Sequence, residues 1–395
     1  MSTQRNNVEV IGLVGLAHSI SHFFHLILAP LFPWLKIEFG LSYAELGLLM
    51  TVFFVVSTIV QATSGFIVDR KGAYPVLLVG VGMLSISALS LSFAPNYSVL
   101  ILGAAISGVG NGVFHPVNYT LLNKLVETKN LGHAYSVHGV TGNLGWAAAP
   151  IVLIGLTTLF DWRVALQGAS LIAFAILLLL WSRRATLHDA PKHSHQAQEV
   201  SGSAFGFLKL PAIWMCWGFF LLTTLALSGI QSFAPSALKA IYNVDLAVAT
   251  TAYTSYMLAS AAGMILGGFI ASRYKQSDRV IASAFLMSGC MAVLIGLGIF
   301  PGAMVPVLFA MMGLGAGIAG PSRDLMIRSA TPKGSTGRVY GMVYSGLDTG
   351  LATGPLLFGL LMDMKLPPMI FFGIAVFQML AIFTAVRLTG RTQAA

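Results

Sequence analysis

Apolar runs of roughly 20 residues recur along the whole of this 395-residue chain. About 20 apolar residues in a helix match the ~30 Å hydrocarbon core of a bilayer. No other feature restricts the fold as strongly, and it predicts an all-α membrane protein. Composition agrees. Only 9% of residues are charged, against roughly 25% in globular domains, and mean hydropathy is +0.82. The 42 glycines fit as well, because small residues let membrane helices approach closely.

Twelve spans are expected. The first six lie near 8–33, 43–69, 73–93, 97–124, 132–159 and 162–183. A polar stretch from Arg183 to Gly206 follows. The other six lie near 209–238, 247–273, 278–300, 303–329, 337–362 and 367–388. This divides the chain into a six-helix bundle at 1–183, a cytoplasmic linker at 184–208 and a second six-helix bundle at 209–395.

Charge tests this map. With both termini cytoplasmic, 18 of the 22 basic residues fall on the inner side, leaving Lys36, Arg163, Lys239 and Lys365 outside. That bias is the positive-inside rule. It accounts for the net charge of +9 better than a nucleic-acid partner does. Cys216 and Cys290 both sit in apolar runs, which argues against a disulfide scaffold or a thiolate metal site. The start of the chain lacks a short apolar core with a small-residue cleavage site, so no removed signal peptide is expected.

The second half repeats the first. Gly132-His-Ala-Tyr135, Gly145 and Pro150 correspond to Gly337-Arg-Val-Tyr340, Gly350 and Pro355, all offset by 205. Gly110, Gly112 and Pro116 correspond to Gly315, Gly317 and Pro321 at the same offset, as Ala29-Pro30 does to Ala234-Pro235. Gly65-Phe-Ile-Val-Asp-Arg70 corresponds to Gly268-Phe-Ile-Ala-Ser-Arg273, offset by 203. Two six-helix repeats related by an axis along the membrane normal are a known transporter plan, with the substrate site near the midplane.

On these residues the chain resembles the major facilitator superfamily. Gly65 to Gly72, with Asp69, Arg70 and Lys71, is similar to that superfamily's loop between helices 2 and 3, and Asp161-Trp162-Arg163 is also familiar from it. Val113-Phe-His-Pro116 and Gly142-Asn-Leu-Gly145 resemble the fosmidomycin-resistance-like efflux group. The second-half loop departs from the pattern with Ser272 in place of Asp69, and Gly139, Gly145 and Ala149-Pro150 reproduce the antiporter motif in part. The resemblance implies two pseudo-symmetric bundles with helices 1, 4, 7 and 10 lining a central cavity. It also implies conformational gate roles for Asp69, Arg70 and Lys71.

His18, His22 and His25 fall at roughly 0°, 40° and −20° around helix 1, a stripe about 10 Å long. A polar stripe on a membrane helix faces protein or water rather than lipid. His115 on helix 4 and His138 on helix 5 are candidates to join it, with Gln61, Asn111, Asn118, Tyr119 and Asn143 adding hydrogen bonds. The residues 205 further on are Thr223, Leu227, Ile230, Gly320 and Val343, so the fold itself does not demand histidine at these five places. Imidazole titrates near neutrality and relays protons, and a histidine cluster suits an anionic substrate or proton coupling through His22. Asp348 on helix 11 is the proton-carrier candidate, since a carboxylate at membrane depth must be paired or protonated. Its counterpart is Asn143. Arg323 is either an anion contact or, with Asp324, Arg273 and Arg338, part of the inner gate. Phe23, Phe24, Tyr253, Tyr256 and Tyr344 are candidates for an apolar wall. His188, His193 and His195 belong to a solvated linker.

The expected function is secondary transport of a small organic solute, anionic or amphiphilic, by alternating access, proton-coupled and directed outward. The alternative is transport of a metal ion or chelate held by His18, His22 and His25, since histidines one turn apart can share a metal. A membrane metalloenzyme would need further paired histidine boxes, and no enzyme activity is expected. A sensor on the same fold is a further class. No G-x-x-x-x-G-K-[ST] loop indicates ATP hydrolysis. The expected partners are the solute, protons and the lipid bilayer, with no cofactor and no nucleic acid. The expected form is a monomer in the bacterial inner membrane.

Overall fold

The computed structural model describes residues 2–127, 130–188, 206–274, 276–330 and 336–393. Among them regular structure is entirely helical. The first span is α1 (Ser2–His25), a 3₁₀ turn at Ala29–Leu31, and α2 (Phe32–Phe39). Then come α3 (Tyr43–Lys71), α4 (Ala73–Ser92), α5 (Tyr97–Asn111) and α6 (Phe114–Leu125), the last two forming the fourth span. α7 (Leu131–Leu159), α8 (Trp162–Ser182) and the short α9 (Arg184–Leu187) complete the first half. The second half holds α10 (Pro211–Tyr242), α11 (Leu246–Arg273), α12 (Ser277–Gly296), α13 (Val305–Ala330), α14 (Thr336–Asp363) and α15 (Pro368–Gln393). Among the described residues eleven spans are long and apolar enough to cross a bilayer by length and composition, and α14 is a helix at the place of the expected eleventh span of the sequence. The fold is the all-α, twelve-helix architecture expected from the sequence.

The chain separates into two compact units, Met1–Ser42 with Leu48–His193, and Tyr43–Gly47 with Ser194–Ala395. Most of the expected linker, 189–205, lies outside the described residues. Within the first unit α1 packs on α7, and α4 packs on α5 and α8. Within the second, α10 packs on α14, and α12 packs on α13 and α15. These are the same partners one repeat later.

The repeated glycines mark where helices nearly touch. A Cβ on Gly108 would strike the carbonyl of Phe53, and one on Gly313, 205 residues later, the carbonyl of Tyr256. Gly112 meets Ser57 as Gly317 meets Ser260, and Gly145 meets Ser19 as Gly350 meets Thr224. Hydrocarbon supplies no hydrophobic drive between helices, so close backbone approach at small residues holds such bundles together. That requirement explains why these positions repeat while the side chains around them drift.

The repeat reaches the helix ends. α2 ends at Gly40 (φ 66°), whose N–H bonds the carbonyl of Lys36, and α10 ends at Asn243 (φ 49°), bonded to Lys239. Both caps use the left-handed conformation that Gly and Asn tolerate best. Lys36 and Lys239, two of the four basic residues assigned outside, are thus equivalent, each a cation in the last turn where the helix dipole favours one. Arg163, a third, donates to the carbonyls of Ser92 and Ala94 at 3.0 Å each and to Glu38 at 2.7 Å, while Trp162 donates to the other Glu38 oxygen. Asp161 caps α8 through the N–H of Val164 at 2.8 Å. The Asp-Trp-Arg motif therefore clasps α2, α4 and α8 at one end of the first unit.

The first span departs from one continuous helix over 8–33. Pro30 and Pro33 stand three residues apart, each without an N–H and each crowding the carbonyl four residues before it. The chain answers by tightening at Leu26 and Ile27, bonded three residues back to Phe23 and Phe24. The corresponding Pro235 is a single proline, and α10 runs through it.

Candidate functional site

Five histidines converge inside the first unit. The break between Asn111 and Phe114 restarts the fourth span and puts His115 in the first turn of α6. Gly142 and Gly145 let α7 close on α1. A Cβ on Gly142 would lie 2.7 Å from the ring of His22 and 2.8 Å from that of His18. His138, one turn before Gly142, then stacks on His18 with ring centroids 3.5 Å apart. His18 to His22 is 4.2 Å, His22 to His25 4.7 Å and His18 to His115 5.7 Å. Four of the five are buried and His115 is partly so.

Hydrogen bonds define what each ring has left to offer. His18 Nδ1 lies 2.7 Å from the carbonyl of His138. A carbonyl only accepts, so Nδ1 carries the proton and donates. Among the described residues His18 Nε2 is then buried without a partner, as is His22 Nδ1. His115 Nδ1 is 2.8 Å from Oε1 of Gln61 and donates to it. His25 has both nitrogens engaged. The indole of Trp146, a donor only, gives its N–H to Nδ1 at 3.3 Å, and Nε2 faces Oδ1 of Asn111 at 3.1 Å. Asn111 in turn donates to Ser57 at 2.9 Å, which orients its amide. His25 is therefore the Nε2–H tautomer. One ring nitrogen each of His18, His22 and His115 lie within 4.8 Å of one another. The metal grouping thus replaces His25, expected from spacing, with His115 from another helix.

Gln61, Asn111, His115 and His138 join the helix 1 stripe. Asn118 is fully buried, and both its amide atoms lack partners among the described residues. Asn143 is buried on α7, its amide N–H 3.5 Å from the carbonyl of Gly139. In the second unit Asp348 is buried on α14, 4% exposed. Arg323 places its guanidinium 5.0 Å from the ring of Phe220, and Tyr344, one turn before Asp348, packs on the same ring at 4.9 Å. Arg70, Lys71 and Arg273 are exposed. The side chains of Asp69, Asp324 and Arg338 lie outside the described residues. Trp146, which stacks on His22 at 4.3 Å and caps His25, was missed. Its sequence signal is its place one turn after Gly142, on the face that meets α1.

Comparison with known proteins matches this architecture. The family model described as Major Facilitator Superfamily matches residues 14–322 and 220–394. The chain belongs to that superfamily, and it is a secondary transporter working by alternating access. Relatives include an uncharacterised transporter of this type, YfnC of Bacillus subtilis, 24% identical over 292 residues, 72% of this chain and 70% of that one. The fosmidomycin resistance protein of Escherichia coli is 25% identical over 151 residues, 38% of this chain and 36% of that protein. Among solved structures, a bacterial homologue of the human lysosomal transporter Spinster, in an inward-facing and occupied conformation, shares the fold. Its TM-score is 0.77 at 14% identity, over 97% of this chain and 96% of that one.

Proposed function

We propose that this chain is a proton-coupled transporter of a small anionic or amphiphilic organic solute, with the histidine cluster recognising the solute and Asp348 carrying the proton. The carrying observation is five imidazoles gathered in one membrane bundle, with ring nitrogens of His18, His22 and His138 buried without a partner among the described residues. The hydrogen bonds and ring contacts described bring imidazoles, amides, a hydroxyl and an indole to the cluster, and no carboxylate. Protonation turns an open ring nitrogen of this set into an N–H donor for an oxyanion, and none of these contacts adds a negative charge.

Asp348 supports the coupling half. A carboxyl group at 4% exposure in a membrane helix is costly as an anion, and its repeat partner Asn143 has the same shape without a titrating proton. Outward transport is supported by the likeness to the fosmidomycin resistance protein. The basic-residue bias supports both termini in the cytoplasm of a bacterial inner membrane. The proposed domains remain 1–183 and 209–395 with a linker between, in a monomer. The test is solute flux in proteoliposomes under an imposed pH gradient, over a panel of aromatic and aliphatic carboxylates and phosphonates. Gradient-driven accumulation of an anion supports the reading, and flux indifferent to the gradient removes the coupling.

A further inference from the structure

The geometry points to a divalent transition-metal site formed by His18, His22 and His115, with one coordination position left open. Zinc-type ions take three histidine nitrogens at 2.0–2.1 Å plus an exchangeable fourth ligand. In that tetrahedron the nitrogens stand roughly 3.3 Å apart, against a spread within 4.8 Å for these three. Each ring has to move inward by under about 1 Å, which side-chain rotation accommodates.

The surroundings match a ligand set in two further respects. Metal-bound histidines donate their second ring N–H to a carbonyl or carboxyl-type oxygen, which fixes the tautomer and aims the lone pair. His18 does so to the carbonyl of His138 at 2.7 Å, and His115 to Gln61 at 2.8 Å. Two members of the grouping carry an orphaned nitrogen: His18 Nε2 and His22 Nδ1 are buried with no partner among the described residues, as are both nitrogens of His138 beside them. Buried polar atoms are nearly always bonded, and unmet ring nitrogens on two members of this grouping call for an occupant. His25 is excluded because Trp146 and Asn111 hold its two nitrogens.

Three neutral imidazoles leave a dication uncompensated inside a membrane bundle, which is costly. The open position therefore prefers an anionic donor. This last step rests on the anionic-solute reading above, with the ion as the group that grips the solute's oxyanion. The binding of the ion itself does not depend on that reading.

Cobalt(II) reports the site directly, since its tetrahedral complexes absorb strongly in the visible. Tag-free, full-length protein in nanodiscs is titrated with cobalt chloride and then with azide as an anionic probe. One equivalent of tetrahedral cobalt is expected, with bands that shift when azide enters the open position. His115→Ala should abolish the bands, and Gln61→Leu should weaken affinity about 10- to 100-fold by releasing the His115 ring. His138→Phe keeps the stack and the backbone carbonyl, so it should retain the bands. Monodisperse elution of each variant separates loss of the site from loss of the fold. Absent bands in the folded parent, bands surviving His115→Ala, or loss with His138→Phe each overturn the assignment. Bands unmoved by azide overturn the open position. Gradient-driven anion flux without cobalt binding would remove the metal and leave the transport reading standing.

Discussion

Trp146 donates its indole N–H to Nδ1 of His25 across 3.3 Å while its ring stacks on His22 at 4.3 Å. One side chain thus fixes a tautomer and clamps a neighbour. Trp146→Phe keeps an aromatic face and removes the donor, leaving a buried nitrogen unpaired. Loss of about 1–3 kcal/mol is expected, read as a lower unfolding temperature in detergent. An unchanged temperature means that the bond contributes nothing.

Gly142 is the hinge of contact between α1 and α7. In Gly142→Ala the new methyl would sit 2.7 Å from the His22 ring, and overpacking of this kind costs about 1–3 kcal/mol. Gly155 on the same helix meets no heavy atom within 4 Å. Gly155→Ala should gain up to about 1 kcal/mol from helix propensity. Thermal unfolding of the two variants should therefore move in opposite directions; equal shifts would remove the steric explanation.

Arg163 makes two carbonyl bonds and one ion pair, and these can be separated. The Arg163 and Glu38 side chains are 34% and 40% exposed, so the ion pair alone contributes at most about 1 kcal/mol. Glu38→Gln should be mild. Arg163→Lys retains charge and loses the planar fork that reaches Ser92 and Ala94, and it should cost about 1–3 kcal/mol. If chemical unfolding ranks the two variants the other way, the pair rather than the carbonyl bonds holds the clasp.

Asp348→Asn converts the second unit to the residue its repeat partner already has. Under the proposed mechanism, accumulation driven by a pH gradient falls to background while solute exchange at equal pH persists. Accumulation at the wild-type rate would exclude Asp348 as the carrier, and loss of exchange as well would mark it as a solute or structural contact.

The apolar runs determined the helix count, because backbone in hydrocarbon must satisfy its own hydrogen bonds and helices do this locally. The glycine offsets determined which helices touch, because contact without a hydrophobic drive needs small residues. The same spacing put His18, His22 and His25 on one face. Tertiary structure alone decided the rest. His115 and His138 lie 97 and 120 residues from His18, and periodicity along one helix carries no information about which rings another helix will bring. Nor does it say which nitrogens are already taken. His25 looks equivalent to His22 in sequence, yet Trp146 and Asn111 occupy it, and His115 stands in the grouping instead. Ligand availability is a property of hydrogen-bond partners across helices, and those exist only once α1, α3, α5, α6 and α7 are packed.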